Sequence, residues 1–421
     1  MDGAFISPEN VEAVNEFAQQ EDPSSQDPSP PSSESLLDHN KKSSVLYSSQ
    51  ASDKKMSYRP LTPLRIVRGV FCLIVLLFSS LMPLLIVAPP SFLTLRLISV
   101  HYSRQATSFF LAGWLSLWPF FFEKINQTKV VFAGDKVPHD NRVLISCNHR
   151  TEVDWMYIWD LAIRKGKIGF CKYAVKSSVR NVPIFGWAFW VFEFLMLERK
   201  WDVDKPVIES YLKTFMDPAD PLWLVIFPEG TDFTEKKRDR GNLFAKENGL
   251  PELTNVLQPR TRGFVTCLSH LRPSLDAVYD LTIGYKDRCP SFSDNLFGTD
   301  PAEVHIHINR IQLADIPESE ERLSEWVYKL FLEKDQMLAE FSRNGHFPNS
   351  GEIEENLSTP MCIFNCLLFT VPWLFVLYYI FISTWLQVYT VISFLTLTIC
   401  TFLDWKTSPI FSWMQATKKL V

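Results

Sequence analysis

The sequence predicts an α/β fold, a mixed sheet covered by helices, flanked by N- and C-terminal transmembrane or membrane-embedded helical hairpins. Short apolar or β-branched runs alternate with helix-like segments between about residues 124 and 347, a pattern typical of α/β domains. Long uncharged stretches precede and follow this region, and a helix that crosses a bilayer needs about 20 such residues. The 421 residues therefore divide into one globular domain between two membrane regions.

Residues 1–59 are predicted to form a disordered, acidic, Ser/Pro-rich tail. Segment 21–35 is mostly Ser, Pro, Asp and Glu, so it has little apolar surface to bury. The whole chain has a formal net charge of −5, and the tail alone holds ten acids and five Lys/Arg, so the remainder is near neutral. Such a balance gives no reason to expect a nucleic-acid partner. The eight cysteines form no Cys-x-x-Cys pair, which fits reduced thiols in a domain that faces the cytosol.

Residues 60–122 are predicted to form the N-terminal membrane hairpin. Residues 69–88 carry no charge and are long enough, at about 1.5 Å per residue, to cross roughly 30 Å of hydrocarbon. Residues 105–122 are a second uncharged run, which either crosses the bilayer or lies in its interface. In either case residues 69–122 can act as a helical hairpin in the bilayer.

Residues 361–403 contain no charged side chain and are predicted to form a C-terminal hairpin of two spans, with a turn near 383–387. One tilted span is the alternative. Basic residues flank both membrane regions: Lys54, Lys55, Arg59, Arg65 and Arg68 precede the first, and Lys406, Lys418 and Lys419 follow the last. The positive-inside rule then places both ends, including the tail 404–421, and the domain at 123–350 in the cytosol.

This topology predicts that the glycosylation sequons at Asn126 and Asn356 are unmodified. The last four residues, with Lys418 and Lys419, resemble a dilysine retrieval signal of the endoplasmic reticulum, although a chance basic end is an equal alternative. We therefore expect a multi-pass protein of the endoplasmic reticulum membrane.

Within the domain, buried strands are predicted at 130–133, 143–147, 222–227 and 277–283, and helices at 151–163, 205–215 and 319–341. Residues 304–308 alternate apolar and polar side chains. That alternation predicts a half-exposed strand with His305 and His307 on its open face. A metal site at these two histidines is the weaker interpretation because no third ligand is evident.

His149 and Asp154 are the first candidate catalytic residues. The strand at 143–147 delivers His149 to its C-terminal end, where open α/β sheets place their sites. With Asp154 in the first turn of the next helix, the two side chains can meet across that turn. The carboxylate can then accept the proton of one ring nitrogen and leave the other as a general base. The alternative is that Thr151 and Asp154 form only a helix-capping pair.

Residues 227–231, Phe-Pro-Glu-Gly-Thr, are the second candidate motif and follow a predicted strand. Pro228 fixes φ, and Gly230 lets the backbone turn tightly, so N–H groups of this turn can hold a phosphate. Glu229 cannot bind a phosphate directly but can position an arginine or accept a substrate hydroxyl. An ordinary turn at the end of a strand is the alternative interpretation.

Basic residues follow the first motif and the second: Lys172, Lys176, Arg180 and Arg199, then Lys236, Lys237, Arg238 and Arg240. A single cation is usually a solvated surface residue. Arg199 is the exception that we assign to the site, because it ends a run at 182–197 that is too apolar for a surface. Cys147 is a weak candidate nucleophile, since its neighbours on a strand face the opposite way.

The two motifs and Arg199, in this order and spacing, resemble the glycerolipid acyltransferases, a family that includes the 1-acylglycerol-3-phosphate acyltransferases. The resemblance covers about residues 60–400. Longer strings, such as residues 148–157, 227–235 and 277–282, look close to the plant endoplasmic-reticulum branch and are similar to animal lysocardiolipin acyltransferases.

The resemblance implies a 1-acylglycerol-3-phosphate O-acyltransferase that uses acyl-CoA as co-substrate, without cofactor or metal. It implies that His149 takes the proton of the acceptor hydroxyl, that Asp154 orients the imidazole, and that the oxygen attacks the thioester directly. The expected substrate-binding residues are Arg199, Glu229, Gly230 and Thr231. Candidate contacts for phosphate groups or CoA are Lys172, Lys176, Lys236 and Lys237.

The chain departs from the family pattern at two places. Asp232 stands where many members have an arginine, and the second block keeps chiefly Arg199. The fourth block is either 256–259 or 277–283. Two other functions stay open: remodelling of another lysophospholipid, such as a lysocardiolipin-like or lysophosphatidylinositol acceptor, and a non-catalytic lipid-binding scaffold in the membrane.

Overall fold

A computed structural model describes residues 59–182, 185–349 and 354–406. Seven strands form one sheet: β1 Lys129–Gly134, β2 Arg142–Cys147, β3 Cys171–Lys176, β4 Leu195–Leu197, β5 Leu222–Ile226, β6 Ala277–Tyr285 and β7 Glu303–Ile311. Their order is β1-β7-β6-β2-β5-β3-β4. Neighbouring strands are parallel except for β6 and β7, which are antiparallel, so the predicted mixed sheet is confirmed.

The longer helices are α1 Pro63–Ile86, α2 Val100–Leu115, α3 Asp154–Arg164, α4 Phe185–Val191, α5 Trp201–Lys213, α6 Glu235–Glu247, α7 Thr261–Leu271, α8 Glu320–Asn344, α9 Thr359–Leu368, α10 Val371–Ile382 and α11 Thr384–Leu403. Shorter helical turns lie at Pro89–Thr94, Leu95–Ile98, Leu117–Pro119, Phe120–Ile125, Ile168–Phe170, Ser177–Asn181, Arg272–Ser274, Phe292–Phe297 and Leu313–Asp315.

Strand β2 is buried along its whole length because helices cover both faces of the sheet. Its side chains alternate between two cores. Ile145 lies in the core formed with α3 and the N-terminal helices, whereas Leu144 lies in the core formed with α7 and α8. This three-layer arrangement explains why the central strands are near-continuous apolar runs.

The half-exposed strand predicted at 304–308 is confirmed except at His305: Val304, Ile306 and Ile308 are buried and His307 is half-buried. His305 in β7 is 2% exposed, and its ring packs against Phe341 of α8 with centroids 5.1 Å apart. Burial lowers the pKa of His305, which favours the neutral ring. His305 therefore faces a covering helix instead of solvent.

Three helical segments within the described ranges are long and apolar enough to cross a membrane: Pro63–Ile86, Thr359–Ile382 and Thr384–Leu403. The last two are separated at Ser383, within the range predicted for the turn. The predicted tails at 1–58 and 407–421, including the dilysine sequence, lie outside the described residues.

The second N-terminal run at 105–122 is not one of these candidate spans. Much of it belongs to α2, which packs on the globular domain. A Cβ at Gly169 would lie 2.2 Å from the carbonyl oxygen of Ser108, so the backbone of α2 touches the domain directly. This contact favours the interfacial alternative over a full crossing.

A buried ionic cluster joins the N-terminal helices to the domain. Arg104 of α2 donates to Glu193 (Nε to Oε2, 2.7 Å) and to Asp220 (3.0 Å), and Arg96 also pairs with Glu193 at 3.0 Å. Burial alone would raise the pKa of Glu193, but the two arginines outweigh it and lower that pKa to about 2. Glu193 lies just before β4, so this cluster fixes the segment that leads to Arg199.

Replacing Glu193 with glutamine should destabilise the protein by about 3–5 kcal/mol, because two buried arginines would then face an uncharged amide. Thermal unfolding of the purified protein in detergent measures the loss. Glu333→Gln, at a half-exposed carboxylate on α8, is the matched control and should unfold at the wild-type temperature. A wild-type unfolding temperature for the Glu193 variant would show that the cluster contributes nothing to stability.

Candidate active site

His149 and Asp154 meet across the turn between β2 and α3. The imidazole Nδ1 lies 2.9 Å from Asp154 Oδ2, and the backbone N–H of Thr151 donates to the same oxygen at 2.9 Å. Helix α3 begins at Asp154, three residues later than predicted, so Thr151 is not its capping residue. The Thr151 hydroxyl instead donates to the Pro290 carbonyl at 2.5 Å. A capping pair alone does not describe this carboxylate.

Tyr285 forms a hydrogen bond with the second carboxylate oxygen of Asp154. Its hydroxyl donates to Oδ1 at 2.6 Å from the end of β6. Asp154 is fully buried at the N-terminus of α3. The sequence offered no signal for Tyr285 beyond its place at the end of a predicted strand, because the contact depends on β6 lying beside β2.

The imidazole of His149 is held on one side and open on the other. Its ring stacks on Phe227 with centroids 4.4 Å apart, and its side chain is 19% exposed. Burial opposes protonation, but the hydrogen bond to Asp154 and the charges of Asp154, Glu229 and Asp232 outweigh it and raise the pKa of His149. With Nδ1–H donated to Asp154, Nε2 is left to accept a proton.

Replacing Tyr285 with phenylalanine should lower the turnover rate at pH 7 by about two- to tenfold. Asp154 would lose a donor, its charge would act more strongly on the imidazole, and the pKa of His149 would rise. The active, neutral form would then need a higher pH, so the acid limb of the pH–rate profile should move upward. Tyr102→Phe, at an exposed tyrosine of α2, is the control. An unshifted acid limb would contradict this role.

Glu229 is a buried carboxylate that binds two backbone segments. Its Oε1 accepts from the N–H of His149 at 2.8 Å, and its Oε2 accepts from the N–H of Leu257 at 3.0 Å. Burial raises the pKa of Glu229 to about 7, although these two bonds oppose the rise. Each oxygen thus bonds to the backbone, which differs from the expected contact with an arginine or a substrate hydroxyl.

The turn at Gly230 has the expected tight geometry, with a φ of +71°. However, the Gly230 N–H donates to the carbonyl of Phe227 at 2.9 Å, so it does not point to a phosphate as predicted. Thr231 and Lys237 belong to a local cluster beside this turn. Lys237 Nζ donates to the Thr231 hydroxyl at 2.8 Å and pairs with Asp232 at 3.0 Å.

An open cavity lies in front of His149. Phe227, Pro228 and Gly230 form part of its wall, and four cationic side chains line it: Lys176, Arg199, Arg260 and Arg262. The structure therefore brings Arg199 and Lys176 to the base, as the sequence analysis expected. Arg260 and Arg262 were missed. The only signal for them was the segment at 256–259, which competed for the fourth block and directly precedes them.

Other predicted contacts are not brought to this cavity. Lys172 is buried, donates to the Phe192 carbonyl at 2.7 Å, and has its pKa lowered to about 8 by burial. Lys236 is exposed on α6 and does not line the cavity. Cys147 is fully buried, and burial raises the pKa of its thiol, so it is inaccessible as a nucleophile.

Comparisons with known proteins show the family to which the chain belongs. A family model described as Acyltransferase matches residues 129–286, and one described as Acyltransferase C-terminus matches residues 295–369. The chain is 50% identical over 363 residues to probable 1-acyl-sn-glycerol-3-phosphate acyltransferase 5 of Arabidopsis thaliana, covering 86% of this chain and 96% of that protein. It is 37% identical over 289 residues to lysocardiolipin acyltransferase 1 of Gallus gallus, covering 68% and 76%.

Among solved structures, the 1-acyl-sn-glycerophosphate acyltransferase of Thermotoga maritima matches with 14% identity and a TM-score of 0.38, covering 64% of this chain and 98% of that one. That likeness is too distant to carry further argument. The family models and the 50% identity across nearly the whole of the plant relative show that this chain belongs to the glycerolipid acyltransferases, the family of the 1-acylglycerol-3-phosphate acyltransferases.

Proposed function

We propose that this enzyme transfers a fatty acyl group from acyl-CoA to the free hydroxyl of 1-acylglycerol 3-phosphate and so produces phosphatidic acid. The observation that carries the proposal is the His149 imidazole, bonded through Nδ1 to Asp154 at 2.9 Å and open to a cavity lined by four cations. Cationic side chains suit a phosphorylated acceptor and the phosphates of CoA.

In the proposed reaction, His149 Nε2 accepts the hydroxyl proton while the oxygen attacks the thioester carbonyl. The new ester C–O bond forms, the C–S bond breaks, and the leaving CoA thiolate takes the proton from the imidazolium. A neutral alcohol holds its proton at neutral pH, so general-base assistance is worth about 10²–10⁴ in rate. Buried Cys147 gives no support to an acyl-enzyme intermediate.

The proposed substrate contacts divide between direct and indirect ones. Arg199 and Lys176 reach the cavity and can contact phosphate groups. Glu229 acts through the backbone, since its two oxygens accept from backbone N–H groups. Thr231 acts through Lys237, which donates to its hydroxyl. The proposed set of substrate-binding residues therefore rests mainly on the cations of the cavity wall.

We also propose that the enzyme resides in the endoplasmic reticulum membrane with its domain in the cytosol. Three candidate spans support membrane insertion. One N-terminal crossing alone would place the domain opposite residue 59, so a cytosolic domain requires residues 63–125 to enter and leave the bilayer on the same side. The burial of Asn126, whose side chain donates to the Asn295 carbonyl at 2.8 Å, supports the prediction that this sequon is unmodified. A glycan on Asn126 or Asn356 in isolated membranes would refute this orientation.

A panel of acceptors tests the proposed substrate. Membranes that contain the enzyme, supplied with labelled oleoyl-CoA, should acylate 1-acylglycerol 3-phosphate faster than lysocardiolipin, lysophosphatidylinositol or lysophosphatidylcholine. Membranes with the His149→Ala variant provide the background. Preference for lysocardiolipin would favour the remodelling alternative, which the 37% identity to lysocardiolipin acyltransferase 1 supports. Equal labelling by both membranes for every acceptor would favour the non-catalytic scaffold.

A further inference from the structure

The turn at residues 228–230 carries a side chain from a distant part of the sequence. The backbone N–H of Arg260 donates to the Pro228 carbonyl at 2.7 Å. The Arg260 side chain lies over Gly230: a Cβ at that position would come within 3.2 Å of Arg260 Cδ and 3.4 Å of its Nε. The glycine therefore provides the positive φ and also the space in which the arginine lies.

Glu229, in the middle of the same turn, connects this arginine to the base. One carboxylate oxygen accepts from the His149 N–H at 2.8 Å and the other from the Leu257 N–H at 3.0 Å, three residues before Arg260. The base and the arginine are thus fixed to one turn by short hydrogen bonds. These contacts fix the backbone of His149 and of Arg260 relative to the turn.

Among the three arginines of the cavity, Arg260 is the one packed on the turn. Asp232 and Lys237 pair with each other at 3.0 Å and largely cancel. Arg262 lies over the Trp201 ring at 5.9 Å, and Arg199 is exposed at the cavity edge. Arg260 is half-buried and lines the same cavity as His149, and a partly desolvated guanidinium binds phosphate strongly through parallel N–H donors.

We infer that Arg260 binds the phosphate of the acyl acceptor, at a distance from His149 that Glu229 and Gly230 fix. This inference rests on the proposed function and deepens it by assigning the phosphomonoester to one side chain. In this arrangement the glycerol backbone spans from the guanidinium to the imidazole, so the free hydroxyl lies against Nε2. Gly230 and Glu229 act as positioning residues that do not themselves touch the substrate.

Steady-state kinetics of Arg260→Gln test the inference. Loss of a charge-assisted contact should raise the KM for 1-acylglycerol 3-phosphate about ten- to a hundredfold, and the KM for oleoyl-CoA should stay within about twofold. Arg260→Lys should lie between wild type and glutamine, because a lysine keeps the charge and loses the fork of donors. Arg343→Gln, at an exposed arginine on α8, should behave as wild type.

A second variant tests the position of Arg260 over Gly230. Gly230→Ala should raise the acceptor KM in the same direction, since its Cβ would displace Arg260, and the double variant should add little to Arg260→Gln alone. An unchanged acceptor KM in Arg260→Gln, or a rise confined to the KM for oleoyl-CoA, would overturn the inference. The proposed function would still stand if the wild-type enzyme acylates 1-acylglycerol 3-phosphate. If wild type acylates no 1-acylglycerol 3-phosphate, the proposed function itself fails.

Discussion

Replacing His149 with alanine should lower acyl transfer by about 10²–10⁴-fold while the amount of enzyme in the membrane stays unchanged. The imidazole is the basic group that the structure places between a fixed carboxylate and the open cavity, so its loss leaves the hydroxyl without a proton acceptor. The side chain is partly exposed and bonds only through Nδ1 in the described contacts, so the fold should tolerate its removal.

The measurement is the initial rate of labelled oleoyl transfer at saturating substrates, with His346→Ala as the control at an exposed histidine after α8. The His346 variant should keep the wild-type rate. Single turnovers should show no labelled protein at any time, since the oxygen attacks the thioester directly. A His149 variant with a rate within about tenfold of wild type would rule out the imidazole as the general base.

Replacing Asp154 with asparagine should lower the rate almost as much, by about 10²–10⁴-fold, for a different reason. The carboxylate accepts from Nδ1 and so leaves Nε2 without a proton. An amide can instead donate to Nδ1, which favours the tautomer that carries its proton on Nε2 and cannot accept another. The imidazole would then remain in place, but its tautomer could not accept the hydroxyl proton.

The pH dependence separates this variant from a loss of folding. The hydrogen bond and charge of Asp154 contribute to the raised pKa of His149, so the asparagine variant should have a lower imidazole pKa. Its acid limb should therefore move to lower pH, the reverse of the shift expected for Tyr285→Phe. Asp239→Asn, at an exposed aspartate on α6, should change neither rate nor profile. An acid limb that moves upward in Asp154→Asn would contradict the assignment of roles.

The sequence alone predicted the elements that depend on local pattern. The buried runs became β2, β5 and β6, and the long uncharged stretches became α1 and the two C-terminal candidate spans, because apolar length and periodicity act on the chain directly. His149 and Asp154 were predicted together because their contact crosses only one turn, and a spacing of five residues constrains it strongly.

Only the tertiary structure decided which distant groups share the site. Tyr285 reaches Asp154 because β6 pairs with β2, and Arg260 reaches the cavity because its segment bonds to the turn after β5. The predictions for Lys172 and His305 were wrong for the same reason. Polar residues suggest exposure when read singly, yet packing of the next layer buried both. Contacts between residues far apart in the chain follow from strand order and layer packing, which no local pattern specifies.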